Sequence, residues 1–223
     1  RFIYWKEERM QWHLSLGLSK DHLRFRQHES TERAHYAADS WDIEYDYPEW
    51  GWKELEGIAN RTDYDLKTHG KWSGKDLSYT DPTTRETFVP YVIEPSVGVS
   101  RLFLALLIDA YTEEEKRTYL RLKPSLAPVK AAVFPLVANK PQLTEKARSI
   151  YGLLKKHFVV AWDDRGNIGK RYLAQDEIGT PWCITVDYDT LKDDTVTVRD
   201  RDTTKQERVS VDRLKEYIEA KLL

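Results

Sequence analysis

The run Trp41-Asp42-Ile43-Glu44-Tyr45-Asp46-Tyr47 alternates aromatic or aliphatic residues with acidic ones without a break. Strict alternation is the pattern of a strand that lays one face on a core. Pro48-Glu49-Trp50-Gly51 makes a turn, and Trp52 to Ile58 returns as a second strand. A hairpin needs antiparallel neighbours, which excludes a parallel, doubly wound sheet for this part of the chain. Because side chains alternate faces along a strand, Trp52, Glu54, Glu56 and Ile58 are expected to share one face. Two carboxylates beside a tryptophan are an odd choice for a solvent face and suit a pocket that coordinates Mg²⁺ or positions a nucleotide. The plainer reading is that one of them pairs with Arg61 or Arg101.

A second segment constrains function. Phe88 to Ile93 reads as an extended stretch that delivers Glu94 to a Pro95-Ser96-Val97-Gly98 turn. A helix then starts with Arg101 in its first turn and continues through the apolar run Leu102 to Ile108. The helix is apolar all round, so it is expected to be buried and to hold the turn rigidly. A strand end, a turn the backbone of which can approach a ligand, and a helix N-terminus together suit a small polar substrate carrying phosphate. Taken alone, the same residues also fit a Glu–Arg ion pair tying a turn to a helix.

Elsewhere, residues 3–16 form an expected helix with Trp5, Trp12 and Leu16 on one face, ending near Gly17. Ser19 to Arg33 is polar, 34–38 reads as a short helix, 60–69 as a polar helix or loop, and 70–86 as a surface insertion. Tyr111 to Pro128 is charged and punctuated by Pro124 and Pro128, as a linker would be. The rhythm then changes. A buried strand at 129–136 is followed by a helix opened by Pro141, with Leu143, Ala147, Ile150 and Leu154 at helical spacing. Next come a strand to Trp162, a helix from Ile168, a strand at 182–187, a strand pair at 195–199 and 207–211, and a closing helix. Strand, helix, strand in succession reads as a βαβ unit, so the expectation is α+β followed by a mixed-sheet α/β domain, divided as 1–123 and 124–223.

At 223 residues the chain has room for two ordinary domains. No apolar run reaches the roughly 18 residues of a membrane span. The absence of a signal-peptide layout and the lone Cys183 in a strand-like run fit a cytoplasmic, reducing setting, with a buried inert thiol and no internal disulfide. The six histidines show no metal-ligand spacing, so no metal site built from protein ligands is expected. The net charge of −2 argues against a general nucleic-acid coat. Residues 1–123 carry 18 basic and 22 acidic side chains, and 124–223 carry 17 and 15, which permits a nucleic-acid contact in the second part.

The Glu94–Arg101 segment resembles motif 3 of class II aminoacyl-tRNA synthetases, and its Glu-Pro-Ser-x-Gly wording resembles the glycyl-tRNA synthetase family in particular, in its bacterial dimeric form. Gly51-Trp52-Lys53-Glu54-Leu55-Glu56-Gly57 is similar to the catalytic sheet that precedes motif 3. Asp163 to Tyr172, Asp176 to Pro181 and Val198 to Asp202 are similar to the family's anticodon-binding domain. The resemblance thus covers the whole chain. It implies a partial antiparallel-sheet catalytic domain over 1–123 and an anticodon-binding domain over 124–223, with the family's motifs 1 and 2 lying upstream of Arg1. With no initiator Met, the chain reads as a C-terminal portion and an incomplete enzyme by itself.

The implied activity is ATP-dependent conversion of glycine to glycyl-adenylate and transfer of the glycyl group to tRNA-Gly, with ATP and Mg²⁺, in a cytoplasmic homodimer with no membrane partner. The resemblance implies Glu94 and Arg101 as catalytic residues, with Glu94, Pro95, Ser96, Val97 and Gly98 around glycine. Glu94 would hold the ammonium and Ser96 would give a second hydrogen bond. Glu54, Leu55, Gly98, Val99, Ser100 and Arg101 would contact ATP. In the second domain Arg165, Lys170, Arg171, Arg199 and Arg201, with Trp162 nearby, would meet the anticodon by phosphate contacts and stacking. A self-satisfied ion-pair cluster at 199–202 is the competing reading of those arginines. Two other functions compete: a non-catalytic tRNA- or nucleic-acid-binding protein of synthetase descent, and another class II synthetase. Keeping Glu94, Ser96, Arg101 and Glu54 together argues against the first, and the Glu-Pro-Ser turn against the second.

Overall fold

The computed structural model describes residues 1–222. The chain divides into two units, Arg1–Leu106 and Leu107 onward, and the division falls earlier than the boundary after Lys123 drawn from composition.

The first unit is built on a four-stranded antiparallel sheet in the order β1-β2-β3-β6, where β1 is Leu23–Gln27, β2 Asp39–Tyr47, β3 Gly51–Thr62 and β6 Val92–Val97. The alternation in β2 does what alternation should: Ile43, Tyr45 and Tyr47 are buried on one face. Its acidic face is not open to solvent, however, because side chains of the neighbouring strand β1 reach over it. Asp42 and Glu44 are 6% and 7% exposed, covered by Arg26 and Arg24, their register partners. Polar composition hid that strand, since Leu23 and Phe25 are the only strongly apolar residues in it. Residues 34–38 are turns and bends, not a short helix.

A β-bulge decides which residues of β3 face which side. Ile43 pairs with Glu56 and Glu44 with Glu54, leaving Leu55 as the extra residue. An inserted residue reverses facing beyond it, so Glu54 and Glu56 lie on opposite faces, contrary to the expectation from simple alternation. The hairpin turn places Gly51 at φ 63°, where a Cβ would be strained. On the back face, helix α1 (Phe2–Ser15) supplies Arg9 and His13, and both bind the buried Glu56. Between β3 and β6 runs an excursion of α2 (Tyr64–Ser73) and the short hairpin β4 (Tyr79–Thr80) and β5 (Thr87–Phe88). Pro95 is tolerated in β6 because β6 is the sheet edge.

Helix α3 (Val99–Ala110) follows the turn. Ala105 is fully buried, but Val99 is 76% and Phe103 64% exposed, so the helix is not buried all round as its composition predicted. The following residues are not a linker: Tyr111–Glu114 (β7) and Arg117–Leu120 (β8) form a hairpin.

The second unit is a mixed-sheet α/β structure. Its five strands lie in the order β10-β9-β11-β12-β13, with β9 at Ala131–Pro135, β10 at Val160–Trp162, β11 at Trp182–Val186, β12 at Thr195–Asp200 and β13 at Gln206–Ser210. β9, β10 and β11 are parallel and the last two antiparallel. The fully buried strands β9 and β11 explain why their sequences read as continuous apolar runs. Helices α4 (Pro141–Leu154) and α7 (Leu214–Leu222) cover one face through Leu143, Ala147, Ile150, Leu214 and Ile218. Helix α5 (Ile168–Glu177) covers the other over Ala132, Phe134 and Cys183. A one-turn helix, α6 (Thr190–Asp193), precedes β12. Burial pushes the Cys183 thiol pKa well up, in keeping with an inert core residue.

Candidate amino-acid and nucleotide site

The front face of the first sheet carries three cross-strand rows. Ser40, Ala59 and Glu94 form one, Asp42, Gly57 and Ser96 the next, and Glu44 with Glu54 the third. Between them lies a cavity of about 300 Å³ lined by Asp42, Glu54, Gly57, Glu94 and Ser96, with His28 and Tyr36 at its rim. The bulge at Leu55 is what brings Glu54 to this side.

Four carboxylates converge here, and Arg26 is shared by two of them. Glu94 Oε2 accepts a hydrogen bond from Arg61 Nη1 at 2.6 Å. The same guanidinium holds Asp65 at 2.6 and 2.9 Å and lies 3.9 Å over the Tyr36 ring. Arg61 is thus held by Asp65 outside the cavity and by Tyr36 and Glu94 in its lining. Asp42 Oδ2 lies 2.8 Å from His28 Nε2 and 3.4 Å from Arg26. Glu32 takes two hydrogen bonds from Arg26, at 2.6 and 2.8 Å, and these hold its carboxyl below the usual range. Glu54 is the least engaged, with Arg101 at 3.5 Å and a side chain 53% exposed.

Arg101 is held mainly by the backbone. Its Nη1 donates to the Glu54 carbonyl at 2.7 Å, while its own carbonyl accepts from the Tyr47 hydroxyl at 3.1 Å. The Leu55 carbonyl accepts from Gly98 N at 3.2 Å, and Leu102 N bonds back to Gly98 O at 2.9 Å. Bulge and turn are therefore pinned together, with Leu55 itself buried. Pro95, Ser96, Gly98, Val99 and Ser100 are exposed, and Val97 is half-buried. Glu94, Ser96 and Glu54 come together at one cavity, and Arg101 reaches it through Glu54. Glu56 does not come near it.

Residues that sequence reasoning missed are Asp42, Gly57 and the substrate-facing potential of Arg61. Arg61 lies near the end of β3, four residues beyond Gly57, and a mid-strand glycine flags a close approach. Both were readable in principle. The bulge was not, since Leu55 looks like any strand leucine. No group of three or more metal-ligating side chains occurs among the described residues.

The basic residues of the second unit divide sharply. Arg199 makes a bidentate pair with Asp176 at 2.8 and 2.9 Å. Arg201 donates to the Gly179 and Leu122 carbonyls at 2.6 and 2.7 Å and to Asp202 at 2.8 Å. Arg171 reaches the Pro135 and Leu136 carbonyls at 2.7 and 3.2 Å. All three are buried and serve the interior: Arg201 pairs with Asp202 inside the 199–202 cluster, Arg199 pairs with Asp176 outside it, and Arg171 binds carbonyls alone. Arg165 and Lys170 are exposed beside the Asn167 cap of α5. The Trp162 ring is half-buried, with the Arg148 guanidinium 3.7 Å over it.

Comparison with known proteins agrees with both halves. Residues 130–221 match the family model described as an anticodon binding domain. Nearly the whole chain is homologous to proteins named glycine–tRNA ligase. It is 53% identical to that of Caldanaerobacter subterraneus over 99% of this chain and 48% of the relative. It is 54% identical to that of Clostridium tetani, again over 99% and 48%, and 52% identical to that of Thermobifida fusca over 98% and 50%. The chain spans about half the length of the curated relatives it matches, their C-terminal part. The resemblance to glycyl-tRNA synthetases is thereby borne out, as is that of the second unit to an anticodon-binding domain.

Proposed function

We propose that this chain is the C-terminal portion of a glycine–tRNA ligase, carrying the amino-acid side of the active site in its first unit and an anticodon-reading domain in its second. The observation that carries the reading is the Glu94–Arg61 pair at the edge of a small cavity, in a chain homologous to such ligases. Glycine is a zwitterion without a side chain. Its ammonium suits Glu94, its carboxylate suits the Arg61 fork, and Ser96 can take one more hydrogen bond. Entry of the substrate exchanges one internal ion pair for two to the ligand. Val97 pairs with Glu56 on the back face, so the turn backbone beside Ser96, and not the Val97 side chain, is what disfavours a substrate side chain.

ATP belongs beside Glu54, Leu55 and the Gly98–Arg101 turn. Arg101 can stack on adenine or pair with the γ-phosphate. Glu54 is a loosely held carboxylate, and Mg²⁺ characteristically binds one or two carboxylates together with substrate phosphates, so the donor set fits a metal that arrives with the nucleotide. Such a cation would neutralise phosphate charge. The glycine carboxylate attacks the α-phosphate, pyrophosphate leaves, and the terminal ribose hydroxyl of tRNA-Gly then takes the glycyl group as AMP departs. This chain's residues position and stabilise charge, with no covalent enzyme intermediate. Upstream motifs 1 and 2, and the homodimer they support, complete the enzyme in this reading. Arg165 and Lys170 remain the exposed candidates for anticodon contact.

Glycine-dependent exchange of labelled pyrophosphate into ATP by the full-length protein carrying this chain tests the reading. Exchange with glycine and not with alanine or serine is expected. No exchange with glycine would refute it.

A further inference from the structure

Gly57 sits in the middle of β3, paired with Asp42 on one side and Ser96 on the other. Nothing in its backbone demands glycine, since it is not among the residues with positive φ. An interior glycine weakens a strand and often marks a place where another group must come close. A Cβ built at this position would lie 3.4 Å from Glu54 Oε1 and 3.8 Å from Asp42 Oδ1. Those are ordinary contacts, so the protein has room for a side chain that it does not carry. That room opens into the cavity, between two carboxylates and next to the Ser96 side chain.

We propose that Gly57 is a specificity-determining position: the space a Cβ would fill is taken by the α-carbon and ammonium of the amino-acid substrate, seated directly on the strand. This rests on the ligase reading above and adds to it which part of the sheet the substrate touches. The chemistry suits that occupant. The ammonium that pairs with Glu94 also meets the negative charge of Asp42 in the neighbouring row, Glu54 being left to the nucleotide, and a bare methylene needs no more depth than a missing methyl provides. An amino acid with a side chain would have to lift off the strand and lose these contacts, so the floor contributes to selection alongside the turn.

Gly57→Ala in the full-length protein tests this, read by thermal melting and by pyrophosphate exchange at varied glycine and varied ATP. Expected are an unchanged or raised melting temperature, a glycine KM raised by about tenfold or more, and an ATP KM within about twofold of wild type. An unchanged glycine KM would overturn the proposal. So would an equal rise in the ATP KM, or loss of glycine binding together with a lowered melting temperature, which would mean strand damage. Absence of exchange in the wild-type protein would instead overturn the ligase reading, and this inference with it.

Discussion

Glu54 and Glu56 stand two residues apart and have opposite fates. Glu54 is half exposed at the cavity, whereas Glu56 is fully buried on the back face between Arg9 and His13. Burial pushes the Glu56 carboxyl up, but hydrogen bonds from His13 and Arg9 outweigh that and hold it below its ordinary value of 4.5. A folded-state pKa below the unfolded one stabilises the fold above the unfolded value, and the gain is lost as pH falls through the folded value. Acidification from about pH 4.5 downward should therefore destabilise the first unit through this group. Glu56→Gln should cost about 2–3 kcal/mol at neutral pH and flatten the acid limb, as urea titrations at several pH values would show. Asp176 is the counterpart in the second unit, buried under Arg199 and Arg117. Asp176→Asn leaves two guanidinium groups short of their counter-charge and should cost about 3–5 kcal/mol, measured by denaturation of the isolated unit. At this scale the convergence of Glu94 and Ser96 on one cavity was legible, because residues two apart on a strand share a face. The burial of Arg171, Arg199 and Arg201 was not, because the carbonyls and the Asp176 carboxylate they bind come from residues distant in sequence.

Elements were legible where periodicity was strong and hidden where polar residues are paired internally. The alternation in β2, the spacing in α4 and the apolar runs of β9 and β11 announced themselves. β1 did not, because its Arg24 and Arg26 pair with Glu44 and Asp42 on the neighbouring strand, a match that only the folded sheet shows. The β7–β8 hairpin read as a charged linker for a similar reason: Arg117 turns inward to Asp176 and to the Arg201 carbonyl. A close approach marks where β8 meets the turn after α5. Gly179 has φ 81°, and a Cβ there would lie 3.1 Å from the Leu120 carbonyl oxygen. Gly179→Ala should destabilise the second unit by more than the roughly 1–2 kcal/mol of a left-handed non-glycine residue alone, and a chemical melt compared with Gly152→Ala, where nothing crowds the added methyl, would show the difference.

For the whole molecule, the two units have separate cores, and the hairpin at 111–120 is tied to the second by Arg117. A fragment beginning at Leu107 should therefore be more stable than one beginning at Ala127, with a higher urea midpoint, because the shorter piece leaves Asp176 with one arginine in place of two. The domain count and the order of fold classes were readable from the change of rhythm after Pro128. The boundary itself was not, since it depends on ion pairs that only the folded chain brings together.

The proposal that the Glu94–Ser96 cavity belongs to a glycine-charging enzyme is checked by attachment of labelled glycine to a tRNA-Gly transcript, using the full-length protein as wild type and as Glu94→Gln. Expected are glycylation of tRNA-Gly, little charging with alanine or serine, and a Glu94→Gln variant that folds normally with a glycine KM raised about tenfold or more through loss of a charge-assisted bond worth about 1.5–3 kcal/mol. Glycylation that survives Glu94→Gln with unchanged KM and turnover, or no glycylation by the wild-type protein, would contradict it.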